Sequence, residues 1–190
     1  MPFTVSKIIF PKYESIMLLR GDRLYIAAGK TLFVYSARKL TNPIAAYRLK
    51  CEALSANLID NRLYIGSTCK FIIFEMTPSF TEPLRYVTNI ETKEDVFSIM
   101  RNGNELLLGE DDGWLEVFDI SSSTITNSCC VIKSDKISEI VAVDDTHFLL
   151  ATGIGLFKTT KDQMLAHYFK WELITSLFHI SDSIYLVGLN

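Results

Sequence analysis

Glu110-Asp111-Asp112 is the one run of three consecutive carboxylates in this chain of 190 residues. It sits in GEDDGWLEVFDI, residues 109 to 120, between two apolar runs. Three adjacent acids could bind a divalent cation. Calcium loops, however, alternate their oxygen ligands over about 12 residues and close on a glutamate. Here an apolar run follows at once. Asp112-Gly113 instead suits a tight hairpin, because such turns need positive φ. Gly113 is therefore expected to serve the backbone and Asp111 to be solvated. His147, His167 and His179 are the only histidines, and no His or Cys pair has the spacing that local metal motifs use. Each reads as structural, although spacing alone leaves open a catalytic histidine served by a distant nucleophile. Cys51, Cys69, Cys129 and Cys130 show no C-x-x-C pattern, and a bond between the adjacent pair would be strained. They are read as four free thiols, buried as small apolar side chains in strands, in a cytoplasmic or nuclear setting. GIGLFK, residues 153 to 158, lacks the following helix that would make it a phosphate cradle. No catalytic residue, metal or cofactor is expected, and the chain is read as not an enzyme.

The remaining candidates are surface residues. Trp114 follows the acidic turn and Trp171 lies in a link, YFKWELI. Both read as inter-sheet packing or as rim anchors, where Trp is enriched at binding hot spots. With Lys30, Lys70, Asp111 and Asp112, they form the set of candidate partner-binding residues. ETKED, residues 91 to 95, reads as a solvated link or a partner contact, and SSST, residues 121 to 124, as a polar loop.

These residues need a scaffold, and the sequence describes one. RLYIAAGKTLFVYSA, RLYIGSTCKFIIFEM, ELLLGEDDGWLEVFDI and HFLLATGIGLFKTT are apolar runs broken near their middles by Gly or small polar residues, the hairpin signature. Ala27, Gly66, Gly109 and Ala151 fall at equivalent positions, 39, 43 and 42 residues apart, with Val187 in a fifth unit. A flanking strand precedes and follows each of the first four hairpins. Four strands per roughly 40 residues is the layout of a β-propeller blade. The expected fold is therefore all-β, with four complete antiparallel blades and a partial fifth in one domain over residues 1–190. The blades fall near 15–50, 52–90, 96–133, 137–170 and 173–190. Leu115 and Val117 should face one side of the third blade, and Trp114, Glu116 and Phe118 the other.

Residues 105 to 120, ELLLGEDDGWLEVFDI, resemble the second half of a WD40 repeat, with Gly109, Asp112, Gly113, Phe118 and Asp119 matching its small residue, Asp-Gly turn and aromatic-Asp pair. Residues 24 to 47, LYIAAGKTLFVYSARKLTNPIAAY, are closer to the LVIVD type of propeller repeat. The chain has no Gly-His dipeptide and no literal Trp-Asp, so the buried His network of WD40 repeats is missing. Apolar packing must take its place. The resemblance implies a non-catalytic scaffold whose loops bind other proteins, as a subunit of a multiprotein complex.

Composition narrows the remaining classes. The chain is 48% hydrophobic with a net charge of −3, an ordinary globular balance that gives no electrostatic reason for a nucleic-acid backbone as main ligand. That reading would need Lys7, Lys30, Lys70 and Lys93 to gather on one face. A second alternative is a propeller enzyme or small-ligand binder with a polar site at the central channel. No apolar run approaches the roughly 18 residues of a membrane span, and MPFTVSKIIFPKYES lacks a signal-peptide layout. Residues 1–10 are a candidate ring-closing strand for a five-bladed ring. The other reading is the N-terminal part of a propeller of about seven blades.

Overall fold

The computed structural model describes residues 15–68, 70–133, 135–181 and 184–189. The candidate closing strand, Lys7 and Cys69 lie outside them. The first sheet holds β1 (Ser15–Arg20), β2 (Arg23–Ala28), β3 (Thr31–Ser36) and β4 (Ala45–Arg48). The second holds β5 (Ala53–Ile59), β6 (Arg62–Ser67), β7 (Lys70–Met76) and β8 (Leu84–Glu91). The third holds β9 (Val96–Asn102), β10 (Glu105–Glu110), β11 (Trp114–Asp119) and β12 (Thr124–Cys130). The fourth holds β13 (Glu139–Ala142), β14 (Phe148–Thr152), β15 (Gly155–Thr159) and β16 (Met164–Tyr168). A two-stranded sheet of β17 (Ile174–Ser181) and β18 (Ile184–Leu189) follows. Every sheet is an antiparallel meander in chain order. Helical backbone among the described residues is confined to one 3-10 turn, Asp111–Gly113.

Turn chemistry sets the register. The first hairpins of sheets one to three turn on two residues, and Gly21, Asp60 and Gly103 carry positive φ of 59°, 50° and 61°. The β10–β11 turn has positive φ at both Asp112 (50°) and Gly113 (73°), and closes with the Trp114 N–H donating to Asp111 O. This is the geometry expected of Asp-Gly. A Cβ on Gly113 would also overlap the Ile132 carbonyl.

Alternation buries both faces of the inner sheets. Leu107, Leu115 and Val117 pack with Ile140, Phe148 and Phe157 of the fourth sheet. Leu106, Leu108 and Phe118 pack the other way, against Tyr64, Phe71 and Ile73 of the second. Two further clusters join the first sheet to the second and the fourth to the fifth. Each such buried side chain contributes roughly 1.5–3 kcal/mol, so consecutive sheets hold one another face to face. The structure is thus an all-β series of four blade-like, four-stranded antiparallel sheets followed by a two-stranded one.

The repeated small residue has a specific role. In three sheets it lies opposite a serine on the first strand: Gly66 opposite Ser55, Gly109 opposite Ser98, and Gly188 opposite Ser176. A Cβ on any of these glycines would overlap the serine hydroxyl. The freed hydroxyls latch the next sheet, Ser55 Oγ donating to Val96 O at 2.9 Å and Ser98 Oγ to Ile137 O at 2.8 Å. In the fourth sheet Glu139 takes the serine position opposite Ala151, and its Oε2 accepts the Leu177 N–H at 2.8 Å. The fifth equivalent is therefore Gly188 rather than Val187: it faces Ser176 next to a register shift like the one beside Gly66 and Ser55.

The thiols depart from expectation. Cys51 and Cys129 are free but only half-buried, and Cys130 is exposed. The adjacent pair sits at the end of β12, the outermost strand of its sheet. Cys129 Sγ lies 3.1 Å from Asp162 O there, and Cys130 Sγ 3.2 Å from Ile132 O. These are polar surroundings rather than core.

Candidate functional site

A four-stranded meander places its second turn and its outgoing link at the same edge. Backbone bonds tie the two together: the Leu49 N–H donates to Lys30 O at 2.9 Å, Val131 to Gly113 O at 3.0 Å and Trp171 to Ile154 O at 2.9 Å. All six candidate residues share this edge. Lys30 is in the β2–β3 turn, Lys70 begins β7, Asp111 and Asp112 form the β10–β11 turn, Trp114 begins β11, and Trp171 lies in the β16–β17 link.

Their environments differ. Lys30, Asp111 and Asp112 are exposed. Lys70 bonds Glu91 at 2.6 Å, and that hydrogen bond raises its pKa. Trp114 is half-buried with Lys93 Nζ 5.6 Å from its ring centroid, within cation–π range. Trp171 is 80% exposed. It and Phe169 hold left-handed backbone, with φ of 68° and 48°, which bulky residues seldom adopt. Lys30, Lys70 and Lys93 do share the edge, but the last two are engaged locally by Glu91 and Trp114.

Beneath the acidic turn lies a feature that the sequence hides. Glu110 is fully buried and Glu116 is 2% exposed. Alternation puts both on the sheet face that meets the second sheet. Glu110 Oε2 accepts the Glu94 N–H at 2.9 Å, and Glu116 Oε1 accepts Ser128 Oγ–H at 2.8 Å. Among the described residues, the remaining oxygens, Glu110 Oε1 and Glu116 Oε2, have no hydrogen-bond partner. Burial, then the charge of Glu116 and a hydrogen bond to it, push the Glu110 carboxyl up to about 9. The Glu110 carboxyl is therefore protonated at neutral pH.

The histidines act locally. His147 Nδ1 contacts both Asp144 Oδ2 at 2.8 Å and Thr146 Oγ1 at 3.1 Å. A Ser/Thr-His-Asp relay needs the two ring nitrogens used separately, so this cluster is a turn closed on Asp144. The backbone N–H and hydroxyl of Thr146 hold the Asp144 carboxyl well below its ordinary range. His167 stacks on Phe157 at 4.0 Å, and its Nε2 lies 3.0 Å from Ile154 O. His179 stacks on Tyr185 at 5.0 Å. Asp119, matched above to the WD40 pattern, accepts the Ser122 N–H at 2.6 Å and an Asn104 N–H at 3.2 Å. It joins the turns flanking its hairpin, and these bonds lower its pKa.

The opposite edge is laced by polar contacts between first strands and turns. Arg101 pairs with Asp60 at 2.7 Å, Arg20 Nη1 donates to Asp60 O, and Asn102 Nδ2 donates to Asp145 O at 3.1 Å. Among the described residues no group of three or more His, Cys, Asp or Glu is placed to hold a metal ion, and no helix is long and apolar enough to cross a membrane.

No protein-family model and no curated protein matches the chain. The fold, in contrast, is widely represented among solved structures. One similar structure is the crystal structure of the computationally designed Ika8 protein, at a TM-score of 0.68 and 13% identity. The match covers 91% of this chain and 54% of the designed one, so the chain spans about half of that protein's length. At this identity the likeness concerns fold alone.

Proposed function

We propose that the chain is a non-catalytic protein-interaction scaffold, a WD40-like propeller that presents its turn-and-link edge to partner proteins within a complex. The observation that carries this is Trp171, 80% exposed and held in left-handed backbone at that edge. A large aromatic kept in water on a constrained link suits a binding anchor. Asp111, Asp112 and Lys30 add exposed charges along the same edge, a polar setting typical of an interface rim. In this reading the stacked sheets are blades, and the exposed apolar side chains at the two ends of the series, Met17 and Leu19 on β1 and Phe178 and Ile180 on β17, suit contact with another surface. An exposed thiol at Cys130 fits a reducing compartment, cytoplasm or nucleus.

Affinity isolation of the tagged chain from its own cells, with quantitative mass spectrometry, tests the scaffold reading. Trp171→Ser should lose a stoichiometric partner that the parent and Asp22→Lys, an exposed change in the β1–β2 turn of the opposite edge, retain, with unchanged thermal stability. An identical set of bound proteins for parent and variant would remove the edge from the account.

A further inference from the structure

The first and second sheets part at their outer strands, leaving a groove of about 470 Å³ lined from β4, its following link, β7 and β8. One wall is an aromatic ladder. The Tyr47 and Phe74 ring centroids are 5.8 Å apart, and those of Phe74 and Tyr86 are also 5.8 Å apart. Phe74 is buried, Tyr47 half-buried, and Tyr86 is 54% exposed. The Tyr47 hydroxyl already accepts the Leu84 N–H at 3.0 Å, and Tyr86 donates to Asn89 Oδ1 at 2.6 Å. The rings are therefore fixed in place before anything binds, and what they offer is apolar area. Ile72 and Leu49 complete the apolar lining.

The rim has the opposite character. Arg48, Lys50 and Lys70 line the groove, and a smaller hollow beside it is lined by Lys30, Arg48 and Lys50. Among the described residues, Lys70 is the only one of these four cations with a carboxylate bonded to it, Glu91 at 2.6 Å. A protein with a net charge of −3 thus gathers cations around one aromatic slot. This departs from its overall balance and sets a local field that attracts anions. Four cations are few for a nucleic-acid backbone, where binding rests on neutralising many phosphates. An apolar slot with a basic rim matches an extended peptide that carries a large apolar side chain flanked by Asp or Glu.

We infer that this groove is a docking site for an acidic peptide segment of another protein, anchored by an aromatic or branched aliphatic side chain against Tyr47, Phe74 and Tyr86. The inference rests on the scaffold reading and names a class of partner for it. It is tested by panning a random peptide library displayed on phage against the immobilised chain. Enriched peptides are then measured by fluorescence anisotropy. Enrichment of peptides that combine acidic residues with an apolar anchor is expected. Their affinity should fall at least about tenfold, or roughly 1.4 kcal/mol, on combined Arg48→Glu and Lys50→Glu, and also on Tyr86→Ala. Lys133→Glu, an exposed basic position in the β12–β13 link, should leave it unchanged. Circular dichroism melts of each variant establish that it is folded. No enrichment, enrichment of basic or purely neutral peptides, or equal binding by the charge-reversed variant overturns the assignment. Preferential binding of labelled polyuridine would also overturn it. If panning fails while Trp171→Ser still strips a partner from the isolated complex, the groove assignment falls and the scaffold reading stands. Failure of both experiments removes both.

Discussion

Glu110 shows how far a side chain's role can depart from its neighbours in sequence. Within one run, Asp111 and Asp112 face water while Glu110 is fully buried against Glu116. Composition cannot separate them, since an acidic run before Asp-Gly reads as a solvated turn. Strand alternation could have raised the question, because Glu110, Leu108 and Leu106 share a face. The consequence is a pH dependence of defined sign. With the Glu110 carboxyl raised to about 9, the folded chain keeps a proton that the unfolded chain releases from about 4.5 upward. The Glu110 contribution is full below the unfolded value and is lost as pH rises towards 9. Glu110→Gln imitates the protonated acid. Its melting temperature relative to the parent should therefore climb between pH 5 and pH 9, by the equivalent of at least about 1 kcal/mol. Asp111→Asn should stay parallel to the parent across the same range. A pH-independent difference for Glu110→Gln would mean that the fold does not hold the Glu110 carboxyl protonated. At the adjacent turn, Gly113→Val should cost more than about 2 kcal/mol, since it combines positive φ with overlap at Ile132. Urea denaturation of Gly113→Val and Asp111→Asn checks this, and equal midpoints would contradict the hairpin reading.

The hairpins were legible because their cues are local: apolar alternation, a Gly or Asp-Gly turn, and a recurring small residue. The reason for that small residue was not. Ser55 and Val96 are far apart in the chain, and so are Ser98 and Ile137, so no window of sequence contains a complete latch. The glycine makes room, the serine occupies the room, and the next sheet supplies the carbonyl. Gly109→Ala should destabilise by about 1–3 kcal/mol through overpacking, because its Cβ would meet Ser98 Oγ and approach Ile137 Cγ2 to 2.6 Å. Ser98→Ala in the same chain should recover part of that loss. Chemical denaturation of both single variants and the double variant measures the coupling. Strict additivity would show that the glycine and serine act independently. The outer strands were less legible, and the thiols show why. Cys129 and Cys130 lie in an apolar-looking stretch, yet β12 is the last strand of its sheet and shields little of its length from solvent.

At the scale of the molecule, the six candidate residues lie far apart in sequence but share one edge, a consequence of the four-strand meander. Strand parity alone dictates that the second turn and the outgoing link of every sheet fall together. The edge was thus implicit in the repeat, whereas Lys93 over Trp114 and the basic-rimmed groove depend on neighbouring sheets and could not be read from spacing. The central claim is that this edge, rather than the one bearing the Arg101–Asp60 pairs, meets other proteins. Hydrogen exchange compares the chain in the complex isolated from its own cells with the chain alone, and tests that claim most directly. The account predicts slowed exchange in residues 29–31, 111–114 and 169–173 on complex formation. Slowing confined to the opposite turns, residues 21–22, 60–61 and 103–104, would contradict it, as would a chain that isolates with no bound protein at all.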